Sequence, residues 1–482
     1  MSALESAPRE DLLALIALLQ KQVSLLEEQN AALAAEAERL NQRVAELERR
    51  LSQNSGNSSL PPSADQFEHP KKPLKPSSRR RRGRQPGAPG SALTLVEHPD
   101  KIVNHRLKVC GRCARHLAKP TPSLGFVRRQ VTDIPLTSAT VTEHRLHTVR
   151  CRCGRSTTAK VPDGIAETAC SYGPNLPALA VYLLVFQHVP VERTALLIQD
   201  LTGAQVSVGW VASLLDEAAD LVTDSVNLIK ALLVLGHLLH VDKTTTRIGT
   251  SRRWLHVACT QTLTFLGLAP RSTAGADSLG ILPAFRGTLV HDALSFYNGY
   301  TDVAHQWCGA HLICELTAAE TDHPGQMWPA QIRWALAELN KQAIAAREKG
   351  WASIPAERAE IYLKSFHHGV VVGLSLHPRA PGRKQSPTGN LLERLWDRAA
   401  EVLRFADDPL HVVFMNNTAE RALRPAKTQI KISGTHQSQT GAMNWLKVRS
   451  YLDSACKHGL GAFEAIRRAF TGEVWMPPIA MA

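Results

Sequence analysis

Residues 237–269 read HLLHVDKTTTRIGTSRRWLHVACTQTLTFLGLA, and this stretch decides the expected fold of the largest part of the chain. It contains three runs rich in β-branched, aromatic and other apolar residues, at 238–242, 253–260 and 262–269, with short turns between them. Runs of this length and composition, bounded by turn residues, are typical of β-strands. The stretch therefore predicts three consecutive strands.

The residues that follow extend this pattern. A helix-like stretch lies near 273–285, and another short apolar run lies at 288–291. Three strands, a helix and a further strand predict the opening of a ribonuclease H-like α/β domain, which we place at 236–470. From about 312 to 405 the sequence reads as mostly helix with polar, Pro- and Gly-containing breaks, so we expect an all-α insertion in this domain.

Three acidic residues of this domain are candidate catalytic residues. Asp242 and Asp292 each follow a short apolar run, and Glu420 lies in NNTAERALRP, which reads as a short helix. Two aspartates at strand ends and a glutamate on a helix can meet around two divalent cations, and such a site suits phosphodiester chemistry. The alternative is that all three are ordinary surface carboxylates, which are common.

The N-terminal residues 10–51 carry an unbroken heptad repeat, which predicts a coiled coil. Mainly β-branched residues at the a positions, leucine at every d position and Asn30 at one a position favour a parallel dimer. A single amphipathic helix packed on the body of the protein is the alternative. The d positions are Leu12, Leu19, Leu26, Leu33, Leu40 and Leu47, and the a positions are Ile16, Val23, Asn30, Ala37, Val44 and Leu51.

A polar linker rich in Ser, Pro and Arg follows at 52–92, and its composition predicts disorder. Its dense cationic patch would release counterions from a nucleic-acid backbone, so we predict contact with phosphates. A solvated linker without such a contact is the alternative. The patch consists of Arg79, Arg80, Arg81, Arg82 and Arg84.

Residues 93–165 contain two short cysteine pairs, Cys110 with Cys113 and Cys151 with Cys153. Two pairs on separate loops fit a structural Zn²⁺ site with four thiolates, which predicts a zinc ribbon-like module. The second pair has the spacing C-x-C instead of the commoner C-x2-C, and unrelated free thiols remain the alternative.

Residues 170–225 read as helical, and Ser207 is a candidate N-cap. A helix, a Gly-containing turn at 202–206 and a second helix predict a helix-turn-helix that binds DNA. Helical hairpins also occur in proteins that do not bind DNA. The helical segments are 175–187, 191–201 and 207–222.

The composition restricts the class of protein. A net charge of +13 over 482 residues favours an acidic partner, and nucleic acid is the usual one. Nine cysteines without a visible signal peptide indicate reduced thiols and argue against a disulfide framework. No apolar stretch is long enough to cross a bilayer. We therefore expect a cytoplasmic, multidomain protein that associates with double-stranded DNA and not with a membrane.

Nearly the whole chain resembles transposases of the insertion-sequence-66 family, in a branch that carries an N-terminal coiled coil. The matching stretches begin in the linker and continue to the last third of the chain. They include SQNSGNSSLPPS, GRQPGAPG, both cysteine pairs, YGPNLPALAVYL, VERTALLIQDLTG, RRWLHVACT, GILPAFRGTLVHDALSFY, CGAHLICELTA, NNTAERALRPAKTQIKISG and VRSYLDSACKHG.

The resemblance implies a DDE transposase that cuts DNA at the ends of an insertion sequence and transfers the strands to a target. It places Asp242, Asp292 and Glu420 on the family's metal-binding acidic triad, with two Mg²⁺ ions, or Mn²⁺ in their place, as cofactors. Cys308 and His311 match the family's C-x2-H signature. We interpret His311 as a contact to a phosphate or to a metal ligand, and a packing histidine at a helix start is the alternative.

Basic residues around Glu420 are candidates for DNA contact, because an Arg side chain can hold a phosphate with two hydrogen bonds. A solvated basic helix face is the alternative. The expected partners are the element ends, the target DNA, a second copy of the chain through residues 12–51, and accessory proteins of the element. The candidate DNA-binding residues here are Arg421, Arg424, Lys427 and Lys431.

Two positions depart from the family pattern. The family usually has a glutamate where this chain has Lys243, and an aspartate where it has Met415. On a strand, Lys243 is expected to point to the face opposite Asp242, so that it need not block a cation. A nearby ammonium would nevertheless compete electrostatically with a cation, and the loss of neighbouring acidic residues can weaken metal binding. A catalytically decayed or domesticated dimeric DNA-binding protein is therefore an alternative, and a ribonuclease H-like nuclease without strand transfer is another.

Overall fold

The computed structural model describes residues 8–52, 95–117, 125–133, 137–162, 164–165, 167–379, 382 and 384–479. The chain divides into two compact units. The first comprises Met1–Glu68, Val161–Ala195 and Ser207–Ala482, and the second comprises His69–Lys160 and Leu196–Val206. Most of the predicted basic linker, including Arg79, Arg80, Arg81, Arg82 and Arg84, lies outside the described residues.

The heptad region forms one helix, α1, at Arg9–Ser52. The large apolar side chains that the structure describes in this helix are exposed in the single chain, with Leu26 56% and Leu33 67% exposed. The helix itself agrees with the heptad pattern. Its pairing with a second copy stays a prediction.

The second unit contains a two-stranded antiparallel ribbon, β1 at Thr148–Arg150 and β2 at Ser156–Thr158. The hydroxyls of Thr148 and Thr158 lie 2.7 Å apart across it. Of the residues between the two cysteine pairs, Thr148–Arg150 form β1, directly before Cys151.

Four helices precede the main sheet. They are α2 at Asn175–Val181, which continues as a π-helix over Tyr182–Phe186, α3 at Val191–Thr202, α4 at Val208–Leu221 and α5 at Thr223–Val234. The predicted N-cap is confirmed, because Ser207 Oγ accepts a hydrogen bond from the amide N–H of Trp210 at 3.1 Å. Helix α5 was not predicted. Only three residues separate its apolar sequence from that of the next strand, so the two elements read as one apolar run.

A five-stranded mixed sheet forms the centre of the first unit. Its strands are β3 at Leu238–Ile248, β4 at Ser251–Cys259, β5 at Thr264–Leu268, β6 at Thr288–His291 and β7 at Ala304–Trp307, in the order β5-β4-β3-β6-β7. Strands β3, β4 and β5 are antiparallel neighbours, whereas β6 is parallel to both β3 and β7. The α/β class is confirmed.

Three details of this region differ from the prediction. Strand β3 continues through the β-branched residues Thr244–Thr246 and does not end at residue 242. Strand β7, whose sequence AHQW is mostly polar, was not predicted. Helix α6 is limited to Thr273–Ser278, because Gly280 adopts a positive φ of 74° and Pro283 lacks an N–H group to continue a helix.

The predicted helical insertion is present. It consists of α7 at Gly309–Asp322, α8 at Trp328–Glu348, α9 at Ala356–Leu376, α10 at Pro387–Asp397 and α11 at Ala399–Asp407. These helices share a hydrophobic core in which Trp328, Phe366 and Phe405 are fully buried. A separate core beneath the sheet contains Leu239, Val241 and Leu289.

Three C-terminal helices complete the first unit, α12 at Asn417–Ser433, α13 at Gln439–Lys457 and α14 at Ala462–Phe470. The helix predicted around Glu420 is therefore longer than expected, at 17 residues. Helix α13 lies along β5, where the hydroxyls of Ser454 and Ser450 accept hydrogen bonds from the amides of Thr264 at 3.0 Å and Leu266 at 2.9 Å. No helix in the described part of the chain is long and apolar enough to cross a lipid bilayer.

Candidate active site

The two aspartates lie close together, just beyond the point where two neighbouring parallel strands stop pairing. His240 of β3 and Val290 of β6 are the last residues that pair, and Asp242 and Asp292 each come two residues later and interact electrostatically. Asp292 follows the end of β6, as the sequence predicted. Asp242, however, is the fifth residue of the 11-residue strand β3 and not a strand end.

The proximity of the two carboxylates changes their pKa values. Burial and the negative charge of Asp292 raise the pKa of Asp242 to about 6. Burial would also raise the pKa of Asp292, but the charge and the hydrogen bond of Lys243 outweigh it, so this pKa lies below its ordinary value. Asp292 thus has a cationic partner and a lowered pKa, whereas Asp242 has a raised pKa.

Lys243 does not point away from the aspartates, so that expectation is wrong. Its ammonium forms an ion pair with Asp292 Oδ2, and its side chain is only 4% exposed. Its backbone N–H donates a hydrogen bond to Asp242 Oδ1 at 2.7 Å. The pairing of β3 with β6 ends at His240, so Lys243 lies beyond the part of β3 that pairs with β6, and its flexible four-carbon side chain can reach Asp292.

A second cluster forms where α7 and α12 begin. One ligand atom each of Cys308, His311 and Glu420 lies within 4.8 Å of the other two. Cys308 is the N-cap of α7, His311 is in its first turn, and Glu420 is in the first turn of α12. The structure therefore brings the C-x2-H signature to the third predicted acid.

His311 is expected to be protonated at neutral pH. Burial by itself would lower its pKa, but the hydrogen bond and charge of Cys308 and the charges of Asp292 and Asp242 raise the pKa to about 9. Its buried Nδ1 has no hydrogen-bond partner among the described residues. A protonated imidazole with a free N–H is a donor for an anionic group.

Asn416 fixes the start of α12 against β3. Its side-chain N–H donates to the Val241 carbonyl at 2.8 Å, and its Oδ1 accepts from His240 Nδ1 at 2.9 Å. Its backbone N–H donates to Cys308 Sγ at 3.3 Å. Because Asn416 is fully buried and lies one helical turn before Glu420, these bonds determine where Glu420 lies.

Close packing at the start of α7 reinforces this arrangement. The amide N–H of Gly309 donates to the Phe414 carbonyl at 2.7 Å. A Cβ atom at Gly309 would lie 2.1 Å from the nearest atom of the Phe414 ring, so only glycine fits there. The chain segment before α12 therefore lies directly against α7.

The structure does not bring all the predicted ligands together. Within the described residues, Cys308, His311 and Glu420 are the only set of three or more potential ligands whose atoms all lie within 4.8 Å of one another. Asp242, Asp292 and Glu420 do not form such a set, although the first two interact electrostatically with His311.

The four predicted zinc ligands lie on two tight turns of the second unit. The carbonyl of Cys110 accepts from Ala114 at 2.9 Å, and the carbonyl of Cys151 accepts from Gly154 at 2.9 Å. Hydrogen bonds from Cys113 lower the pKa of Cys110, and hydrogen bonds from Cys153 lower the pKa of Cys151. Each pair is thus arranged to favour a thiolate, but the four cysteines do not converge.

A basic strip, formed by Arg421, Arg424, Lys427 and Lys431 of α12 with Arg247 and Arg252 of the β3–β4 hairpin, extends from the acidic site. All of these are exposed except Lys427, which is half-buried, and none is in an ion pair with another described residue. Arg247 and Arg252 are cross-strand partners that sequence reasoning missed. Their like charges on either side of a two-residue turn were a signal that could have identified them.

Helix α12 runs alongside β3 and carries this strip away from the aspartates. It begins where Asn416 is bonded to Val241, and just past its end the His436 carbonyl accepts from the Gly249 amide at 2.8 Å. Acidic residues beside basic residues that have no ion-pair partner in the described part of the chain are typical of the class of nucleic acid-processing proteins.

The particular family follows from comparison with known proteins. Residues 169–444, more than half of the chain, match the family described as Transposase IS66 family, and the chain belongs to that family. Residues 3–94 match a family of unknown function (DUF6444). No curated protein matches the chain. The family resemblance drawn from the sequence is confirmed.

Replacing Asn416 with alanine is expected to destabilise the first unit. The ring Nδ1–H of His240 and the backbone carbonyl of Val241 would be left buried without these partners, which costs about 3 kcal/mol of unfolding free energy in total. Urea unfolding of the full chain measures this loss. The matched control Asn417→Ala removes only a 3.7 Å contact to the Met415 sulfur and should change little. Equal stabilities of the two variants would contradict the role given to Asn416.

The raised pKa of Asp242 predicts a pH-dependent stability. Between the ordinary pKa of 3.8 and about 6 the folded state binds more protons than the unfolded state, so stability falls as pH rises through this window. Without metal, Asp242→Asn should therefore be more stable than the parent by about 2 kcal/mol at pH 7 and no more stable below pH ~4. Asp302→Asn, which changes an exposed carboxylate, is the control. A pH-independent difference for Asp242→Asn would refute the expectation.

Proposed function

We propose that this transposase cuts a DNA strand at each end of an insertion sequence and transfers it to a target, using Asp242, Asp292 and Glu420. The observation that carries the proposal is that Asp242 on β3 and Asp292 just after the neighbouring parallel strand β6 interact with each other, in a protein of this family. Helix α12 adds Glu420 beside His311, on the other side of a helical insertion.

The sheet supports the ribonuclease H-like assignment of the catalytic domain. Three antiparallel strands come first in the chain, and two parallel strands are then added on the other side of β3. This order puts the first strand at the centre, so its residues are flanked by strands on both sides. Asp242 lies on this central strand, two residues past the last residue of β3 that pairs with β6.

The donor set fits a divalent cation. Carboxylate oxygens are the hard ligands that Mg²⁺ and Mn²⁺ prefer. Burial, and after it the negative charge of Asp292, raise the pKa of Asp242, and a bound cation would offset both effects. Asp242, Asp292 and Glu420 would hold the cations, which supply stabilisation of the attacking and leaving oxygens of a phosphodiester.

The remaining residues bind and orient the DNA in this proposal. Protonated His311, with a free N–H beside Glu420, is placed to donate to a phosphate oxygen. The basic strip binds the backbone that leads to the site, and the Arg79–Arg84 patch adds further phosphate contacts. The helix-turn-helix of α3 and α4 contributes recognition of the element ends.

We also propose a structural Zn²⁺ in the second unit, held by Cys110, Cys113, Cys151 and Cys153. Its support is the position of each pair on a tight turn that favours thiolates. Metal analysis of the purified chain is expected to find one zinc, and Cys151→Ser should lose it. Full retention of zinc by that variant would exclude this site.

Cleavage of DNA tests the catalytic proposal. Duplexes carrying the inverted repeats that flank the gene should be cut in Mg²⁺ or Mn²⁺, and Asp292→Asn and Glu420→Gln should bind the same DNA without cutting it. Asp302→Asn should cut like the parent. Specific binding to the ends without cleavage by the parent would instead support the non-catalytic DNA-binding alternative. Cleavage without strand transfer would support the nuclease alternative.

Pairing through α1 is a further proposal, because a transposase must bring two DNA ends together. Leu26→Asp with Leu33→Asp places charges at d positions and should convert the full chain from dimer to monomer in sedimentation equilibrium. Leu18→Asp with Leu25→Asp changes equally exposed leucines outside the a and d positions and should leave the dimer intact. Dimers in both double variants would place the interface elsewhere.

A further inference from the structure

Lys243 occupies a position that the transposase chemistry does not explain. A lysine ammonium loses much of its hydration when it is buried, so it is stable there only with a strong partner. Lys243 is 4% exposed, and Asp292 is its ion-pair partner. The face of the Tyr297 ring, whose centroid lies 5.5 Å from Nζ, is a second favourable surface for the cation.

The same side chain alters the charge balance of the aspartate pair. Asp242 and Asp292 together would present two negative charges, and Lys243 neutralises one of them. Its Nζ is bonded directly to an oxygen of Asp292, which is a ligand atom that a divalent cation would require. A second cation near this ammonium would experience repulsion in a region of low effective dielectric constant.

We propose that Lys243 is a built-in cation for the aspartate pair and competes with divalent metal for Asp292. In the absence of metal its ammonium offsets the repulsion between the two buried carboxylates. A divalent cation binds at Asp292 only when the ammonium leaves. This inference relies on the proposed function for the identity of the cation-binding pair, but it concerns metal binding alone and involves no DNA.

A merely structural ion pair makes a different prediction. If Lys243 only stabilises the fold, its removal lowers stability whether or not metal is present. If it replaces a cation, Lys243→Gln leaves two carboxylates that a divalent cation can then bridge, and metal restores the lost stability. Ligand binding to the folded state stabilises it by an amount that grows with the logarithm of the ligand concentration relative to Kd, so melting curves report the difference.

The experiment follows thermal unfolding of the full chain, without DNA, in EDTA and across a Mn²⁺ titration. Lys243→Gln should melt below the parent in EDTA and recover with Mn²⁺, at concentrations about tenfold or more below any response of the parent. Lys243→Arg keeps the positive charge and should respond like the parent. Lys457→Gln removes another buried lysine, which donates to the carbonyls of Thr260 and Leu263, and should show no Mn²⁺ recovery.

Adding Asp292→Asn to Lys243→Gln should abolish the Mn²⁺ response, which assigns it to this site and not to the cluster around Cys308. A parent that responds at the same Mn²⁺ concentration as Lys243→Gln, or a Lys243→Gln protein that does not respond, would overturn the proposal. If Lys243→Gln does not fold, Lys243→Met, which keeps a long side chain without the charge, takes its place in the same Mn²⁺ titration. A Lys243→Met protein that responds only at the concentration at which the parent responds would contradict the competition, and a response at lower Mn²⁺ would support it. Loss of DNA cleavage bears only on the proposed function.

Discussion

The hydrogen bonds of one buried amide, that of Asn416, determine the geometry of the acidic site. They join three segments that are far apart in sequence: the middle of β3, the Cys308 turn and the start of α12. Glu420 lies at the site because Asn416 is one turn before it. The contact between Gly309 and Phe414 holds the start of α7 against the segment that precedes α12. The first helix of the insertion therefore has a defined position relative to α12 and the sheet.

Charge explains the chemistry that this geometry permits. Asp242 and Asp292 repel each other, and the ammonium of Lys243 is paired with Asp292. In the proposed function, divalent cations bind at these carboxylates, whereas protonated His311 and the basic strip bind the phosphates of DNA.

Much of the fold was predictable from local sequence. The three strands around RRWLHVACT and the helical insertion follow from apolar runs, periodicity and Pro or Gly breaks, and the residue motifs identified the family. Strand β7 was not predictable, because its polar residues His305 and Gln306 are buried through hydrogen bonds to distant groups. The path of the Lys243 side chain was also not predictable, because it depends on where β6 ends and not on the alternation of β3.

The bonds at both ends of α12 have a mechanical consequence. Asn416 ties its beginning to Val241, and the bond between His436 and Gly249 ties the chain after its end to the tip of the same strand. Strand β3, which carries Asp242, and helix α12, which carries Glu420, are therefore joined near both ends of the helix. A movement that changes the distance from Asp292 to the other two acids is therefore expected in the segments after the short strands β6 and β7, which carry Asp292 and His311.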